Sequence, residues 1–168
     1  MTLDWIALGV AVGVCLMVGT LEWFLTGDGL TVWYPRLKKP WWQLPLWLYI
    51  SVGIAVYLLD GFVAYRILTA IPAVEGRIVA MTALVVVMVL NALWNYAFFE
   101  YRSTLIGLLG LIAFLGPLVI LQVSLFAFDE VAAWAHMTYT VFVIGYDVPL
   151  FHAVWRLNPG PADSGTGT

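Results

Sequence analysis

Apolar residues in this chain come in long continuous runs, with polar residues confined to short breaks between them. The runs cover about 5–25, 45–70, 77–99, 104–128 and 131–155. Each is close to the roughly 20 residues that a helix needs to cross the hydrocarbon core of a bilayer. Inside a bilayer every backbone polar group has to be paired within the protein, which leaves helices or closed barrels. A barrel would show alternating apolar and polar residues along its strands, and these runs do not alternate. The pattern predicts an all-α membrane protein, a five-transmembrane-helix bundle forming one domain over 1–158. The Pro-, Gly-, Ser- and Thr-rich stretch at 159–168 reads as a disordered tail.

The breaks differ in character. The first, over 26–44, is long and reads TGDGLTVWYPRLKKPWWQL, with three cations and the aromatic pairs Trp33-Tyr34 and Trp41-Trp42. Rings of this kind suit a membrane interface, but a long loop on a compact bundle also suits a lid. The others are short: a turn around Ile71-Pro72, the Glu100-Tyr101-Arg102-Ser103 link, and Asp129-Glu130. Gly116-Pro117 predicts a kink in the fourth helix. Gly9 and Gly13 form a small-xxx-small step on the first helix, which permits close helix approach.

Composition agrees with this reading. The chain is 63% hydrophobic and 10% charged, with a mean hydropathy of +0.97, more apolar surface than a 168-residue soluble domain can hide. A net charge of −3 argues against nucleic acid as a partner. The one cysteine, Cys15, lies in an apolar run and supports neither a disulfide framework nor a thiolate metal site. The first run carries Asp4 where a signal peptide would be basic, and is read as a retained span. Arg36, Lys38, Lys39, Arg102 and Arg156 fall on one side and only Arg66 and Arg77 on the other. The positive-inside rule then puts the N-terminus outside and the C-terminus in the cytoplasm of a cell membrane.

Polar residues within the spans mark candidate chemistry. Asn91, Trp94, Asn95 and Phe98 recur at i, i+3, i+4 and i+7 on the third helix, so they share one face. Carboxamides are costly against lipid, and the stripe is expected to face inward, either as interhelical glue or as a pocket wall. Asp60 and Asp147 are mid-span carboxylates, functional candidates because a charge at bilayer depth needs a partner, water or a proton. Glu22, near the end of its helix, is read as an interfacial carboxylate. His136 and His152 lack adjacent carboxylate ligands and make a poor metal site, so no metal centre is expected. Walker A, GxSxG, HExxH and CxxC motifs are absent, and no catalytic residue is assigned.

Three stretches carry a resemblance to a known family. They are Trp33-Tyr34-x-x-Leu37-x-Lys39-Pro40 followed by Pro45, then Asn91-x-x-Trp94 followed by Phe98-Phe99, and finally Trp155-Arg156-Leu157-Asn158. With the five-helix count, these resemble the TspO/MBR (tryptophan-rich sensory protein/translocator protein) family over nearly the whole chain. The resemblance implies a homodimer of five-helix bundles in the lipid bilayer, with a cavity beneath the first loop for a hydrophobic small-molecule ligand. Porphyrin, haem and sterols are the ligands it suggests, with no obligatory cofactor. Trp33, Tyr34, Leu37 and Pro40 would belong to the lid, Tyr57 matches the family's helix-2 Tyr, and Asn91, Trp94 and Phe98 would line the cavity. Asp147 is added to this ligand site as a mid-span carboxylate.

This chain departs from the family pattern at Gly53, where the family has Trp, and at Tyr139-Thr140, Val143 and Phe151 on the last helix. Missing indoles count against a light-dependent porphyrin-degrading enzyme, and Gly53 enlarges the pocket. The function expected is binding, transport or sensing of a hydrophobic aromatic ligand, most of all a tetrapyrrole. A proton-coupled transporter built on Asp60 and Asp147 is the remaining alternative.

Overall fold

The computed structural model describes residues 3–70 and 73–159, with only the backbone of Val74. The expected turn at Ile71-Pro72 and most of the expected disordered tail therefore lie outside the described residues. Among the described residues six α-helices make five spans: α1 Trp5–Thr26, α2 Leu46–Ala70, α3 Val74–Glu100, α4 Thr104–Phe128, and α5 Glu130–Phe142 continued by α6 Val148–Leu157. Each span is long and apolar enough to cross a membrane, and no strand occurs among the described residues. The protein is an all-α, multi-pass membrane protein.

Helix starts follow local chemistry. Asp4 Oδ1 accepts from the backbone N–H of Ile6 and of Ala7 at 3.0 Å, capping α1. Ser103 Oγ caps α4 through Ile106. Asp129 Oδ1 caps α5 through Val131 and Ala132. Each cap satisfies N–H groups that the first turn of a helix leaves unpaired.

The fifth span is not the uniform helix that its apolar run suggests. Residues Val143–Asp147 form a π turn, closed by a bond from the Val148 N–H to the Val143 carbonyl five residues back. Pro149, in the first turn of α6, has no N–H to offer, and its ring crowds the carbonyl four residues earlier. Widening the preceding turn relieves both problems. By contrast α4 runs through Pro117 as one helix.

The spans close into a ring. α1 packs on α2, α2 on α5, α5 and α6 on α4, α4 on α3, and α3 back on α1. Large apolar side chains such as Ile6, Met17, Trp23 and Phe24 of α1 point outward, as contact with lipid permits. Inward lie Ala7, Ala11 and Val18 of α1 and the Leu118–Leu121–Leu125 row of α4.

Far from the loop, Arg66 Nε and Nη2 each donate at 2.9 Å to a different oxygen of Asp129. This bidentate pair ties the end of α2 to the α4–α5 turn. Burial alone would push the Asp129 carboxyl up. The Arg66 guanidinium and the two capping N–H groups outweigh it and hold the carboxyl below its usual range.

Candidate functional site: a capped central chamber

The first loop is a fitted cover. Leaving α1 it makes a π turn over Gly29–Trp33 and a 3-10 turn over Tyr34–Arg36. Gly29 sits hard against the end of α3, where an added Cβ would lie 2.7 Å from Phe99 Cβ and 2.9 Å from the Phe99 carbonyl oxygen. Only glycine lets the loop dock this closely.

Trp33 and Tyr34, both buried, then press their rings edge-on against Phe98 at centroid distances of 5.0 and 6.2 Å. Such contacts add to what burial of the rings contributes. Gln43 Nε2 donates to the Tyr34 hydroxyl, and the Lys39 ammonium lies 4.7 Å from the centre of the same ring. Burial, with smaller contributions from Tyr146 and Asp147, holds the Tyr34 phenol above its ordinary range, so it remains protonated at neutral pH.

Two further contacts fasten the loop to the last span. The Lys38 N–H donates to Asn158 Oδ1 at 3.0 Å, and Asn158 Nδ2 donates back to the Lys38 carbonyl at 2.8 Å. The Leu44 N–H donates to the Tyr146 hydroxyl at 2.7 Å. Leu37 packs on the core from within the loop, and the Pro40 carbonyl accepts from the Gln43 N–H.

Within the ring is a chamber of about 100 Å³, with a wall drawn from all five spans. Its polar groups are Glu22 from α1, Tyr49, Tyr57 and Asp60 from α2, Asn91 and Asn95 from α3, Tyr139 from α5, and Asp147 from the π turn. Glu22 Oε2 accepts from the Tyr57 hydroxyl at 2.6 Å and from Asn91 Nδ2 at 2.9 Å, linking three spans. Tyr49 donates to Asp147 Oδ1 at 3.3 Å. Asp60 is 3% exposed, and its Oδ1 finds no hydrogen-bond donor. Gly53, itself exposed, forms part of the wall, and a Cβ added there would meet nothing within 4 Å. At that point the wall is backbone alone.

The residues singled out from sequence divide into two groups. Tyr57, Asn91, Trp94 and Asp147 line the chamber, as do Asp60 and Asn95. Trp33, Tyr34, Leu37, Pro40 and Phe98 are not part of its wall. Phe98 is fully buried, stacked on Trp94 at 5.6 Å and edge-on to Phe151 at 5.0 Å. It sinks so far into α4 that a Cβ on Gly107 would come within 2.4 Å of its ring. Phe98 thus joins the cover to the chamber without facing the space. Trp94 anchors the same region by donating from Nε1 to the Gly107 carbonyl at 2.7 Å.

The expectation that Glu22 is an interfacial carboxylate is corrected here, because its partners hold it inside the ring. A signal was present: Ala7, Ala11 and Val18, the inward face of α1, continue by one more i+4 step to position 22. Tyr49 and Tyr139 were also missed, since a tyrosine in an apolar run carries no mark of which way it faces.

His136 is buried outside the chamber wall, with its Nδ1 2.9 Å from Gln122 Oε1. Thr140 Oγ1 donates to the same Gln122 oxygen, and Gln122 Nε2 donates to the Ala133 carbonyl. These residues join α4 to α5. His152 is exposed beside Trp155. Among the described residues no three His, Cys, Asp or Glu side chains are grouped to hold a metal ion.

These features define a class: a five-span helical membrane protein with a central chamber that holds three carboxyl groups and a first loop sealed by aromatic rings. The profile of the TspO/MBR family matches residues 11–156, and the chain belongs to that family. It is 31% identical to Protein CrtK of Rhodobacter capsulatus over 134 residues, covering 76% of this chain and 79% of that one. It is 24% identical to a tryptophan-rich sensory protein of Cereibacter sphaeroides, covering 86% and 85%. With the tryptophan-rich protein TspO of Chlorobaculum tepidum it shares 23% identity, over 92% and 97% of the two chains.

Proposed function

We propose that this protein binds a hydrophobic, aromatic small molecule in the chamber beneath its first loop, as part of transporting or sensing it. The observation that carries this reading is the chamber itself, which has a wall from every span and a cover fastened at Gly29, Lys38 and Leu44. A scaffold that only spans a bilayer has no need of an internal space lined by buried polar groups. Tetrapyrroles, with sterol-like molecules second, are the ligands suggested by the family resemblance. At about 100 Å³ the chamber is smaller than the roughly 300–1,000 Å³ of sites that hold drug-sized ligands. A macrocycle would therefore be held only if the wall opens, and Arg36 and Lys38, exposed on the loop, are the cations offered to its carboxylates.

The test is titration of the reconstituted protein with protoporphyrin IX while following tryptophan fluorescence. Saturable quenching that weakens in Trp94→Phe is expected. Quenching that never saturates would remove the tetrapyrrole from consideration.

Placement in the cell membrane with the loop end cytoplasmic belongs to the same proposal. Support comes from Arg36, Lys38, Arg102 and Arg156, all exposed at that end of the bundle. The homodimer implied by the resemblance is likewise proposed. Gly9 and Gly13 leave the outer face of α1 open to close approach, since a Cβ on either meets nothing within 4 Å.

A further inference from the structure

The chamber is acidic, and nothing in its wall answers the charge. Glu22, Asp60 and Asp147 come to it from three different parts of the fold, and no Lys, Arg or His lines it. Arg66, the cation nearest Asp60 in sequence, is engaged with Asp129, and Lys39 with the Pro35 and Leu37 carbonyls. Two of the three carboxyl groups have a donor from the wall, Glu22 from Tyr57 and Asn91 and Asp147 from Tyr49. Asp60, 3% exposed, keeps an oxygen in the interior with no donor at all. Buried polar atoms are nearly always paired, and a carboxylate oxygen left over on a residue that lines a chamber points to a donor that arrives with the ligand.

The remaining wall narrows the chemistry. Tyr49, Tyr57, Trp94 and Tyr139 present aromatic rings beside the three carboxyl groups. Rings and carboxylates together are the surroundings that favour an ammonium group, through cation–π attraction and charge-assisted hydrogen bonds. A divalent metal is a poor fit, because it needs several oxygens at roughly 2–2.6 Å and these side chains are not grouped that closely. An anionic guest would meet three acids.

We infer that the chamber selects an organic cation: an ammonium group on a small aromatic body, paired to Asp60, with Glu22 and Asp147 supplying the rest of the negative field. This rests on the chamber being the ligand site and narrows the class of ligand it takes. The amine supplies the N–H donor that Asp60 lacks, and its ring lies among those of the wall. A compact arylalkylammonium also needs far less widening of a chamber near 100 Å³ than a macrocycle does.

The test uses the full chain in lipid nanodiscs and calorimetric titration with 2-phenylethylammonium, its neutral counterpart 2-phenylethanol, and protoporphyrin IX. Saturable binding of the ammonium, at least tenfold tighter than the alcohol and weakened at least tenfold in Asp60→Asn, is expected. Asp147→Asn should weaken it severalfold and serves if Asp60→Asn does not reconstitute. Equal affinity for ammonium and alcohol overturns the inference on the wild-type protein alone. So does an Asp60→Asn variant that binds the amine as the wild type does. Porphyrin binding without ammonium binding overturns the cation inference and leaves the broader ligand-binding reading standing. Failure of all three to bind overturns both.

Discussion

Tyr57 of α2 donates a 2.6 Å hydrogen bond to Glu22 of α1, and the same Glu22 oxygen takes a second bond from Asn91 of α3. One carboxyl group thereby joins three spans, in surroundings where water competes weakly. Removing the donor in Tyr57→Phe is expected to cost about 1–3 kcal/mol, the range for leaving a buried acceptor short of a partner. Adding Glu22→Gln should recover most of that loss, because a neutral amide is cheaper to leave half-satisfied than a carboxylate. Thermal melts of the single and double variants in one detergent decide the matter. Equal melting of wild type and Tyr57→Phe would show that the bond does not hold the spans together.

The cover depends on Gly29. In Gly29→Ala the new methyl group would meet Phe99 Cβ and its carbonyl oxygen, neither of which can swing aside without moving α3. A cost of about 1–3 kcal/mol, as for overpacking elsewhere, is expected to appear as lifting of the loop. Trypsin reads this directly, cutting faster after Arg36 and Lys38, while the Lys39-Pro40 bond stays resistant. Asn158→Ala, which removes both bonds to the Lys38 backbone, should act in the same direction. Cleavage at the wild-type rate in both variants would rule out the docked loop.

Gly53 is a place where the chamber wall can be changed without disturbing the helices. A Cβ there has free space, and the position lies inside α2. Gly53→Ala should therefore stabilise the protein by roughly 0.5–1 kcal/mol through helix propensity. Gly53→Trp should leave the fold intact while covering the backbone-only part of the wall. Titration with 2-phenylethylammonium is then expected to show at least tenfold weaker binding, or much slower uptake, in the tryptophan variant alone. Unchanged binding would mean that ligand does not pass or occupy this part of the wall.

Asp129 sets an acid limit. Its carboxyl is held below the usual range in the folded protein, so it binds a proton more readily when unfolded. Its stabilising contribution is complete above the unfolded value, about pH 4, and is lost as the pH falls through the lower folded value. Melting temperature should drop over that acid interval. Asp129→Asn should lower stability at neutral pH by about 1–3 kcal/mol, because it breaks an ion pair that is partly open to solvent while the amide oxygen still caps α5. It should also flatten this part of the acid profile. An acid profile identical in wild type and variant would exclude Asp129 as its source.

How much was legible beforehand depends on how local each property is. The five spans could be read because hydropathy of a continuous run is a property of the run itself. Asn91, Trp94 and Asn95 could be placed on an inward face because the helical period puts them together and carboxamides avoid lipid. Phe98 shares that stripe but does not face the chamber. A glycine on a different helix, Gly107, gives its ring a cleft to enter, and no pattern on α3 records that. The π turn had a local cause in Pro149, yet its consequence, Asp147 turned onto the chamber beside Tyr49, depended on where α2 lies.

The amino-acid order by itself determined that this is a helical membrane protein of five spans, which faces of α3 are polar, and that a long aromatic loop follows the first span. These follow from solvent and periodicity, which act along one segment at a time. Only the tertiary structure decided that Glu22 faces inward, that the loop is clasped by Asn158 some 120 residues away, and that three scattered acids share one small space. Those facts arise where helices meet, and the energy of a meeting is written in no single segment.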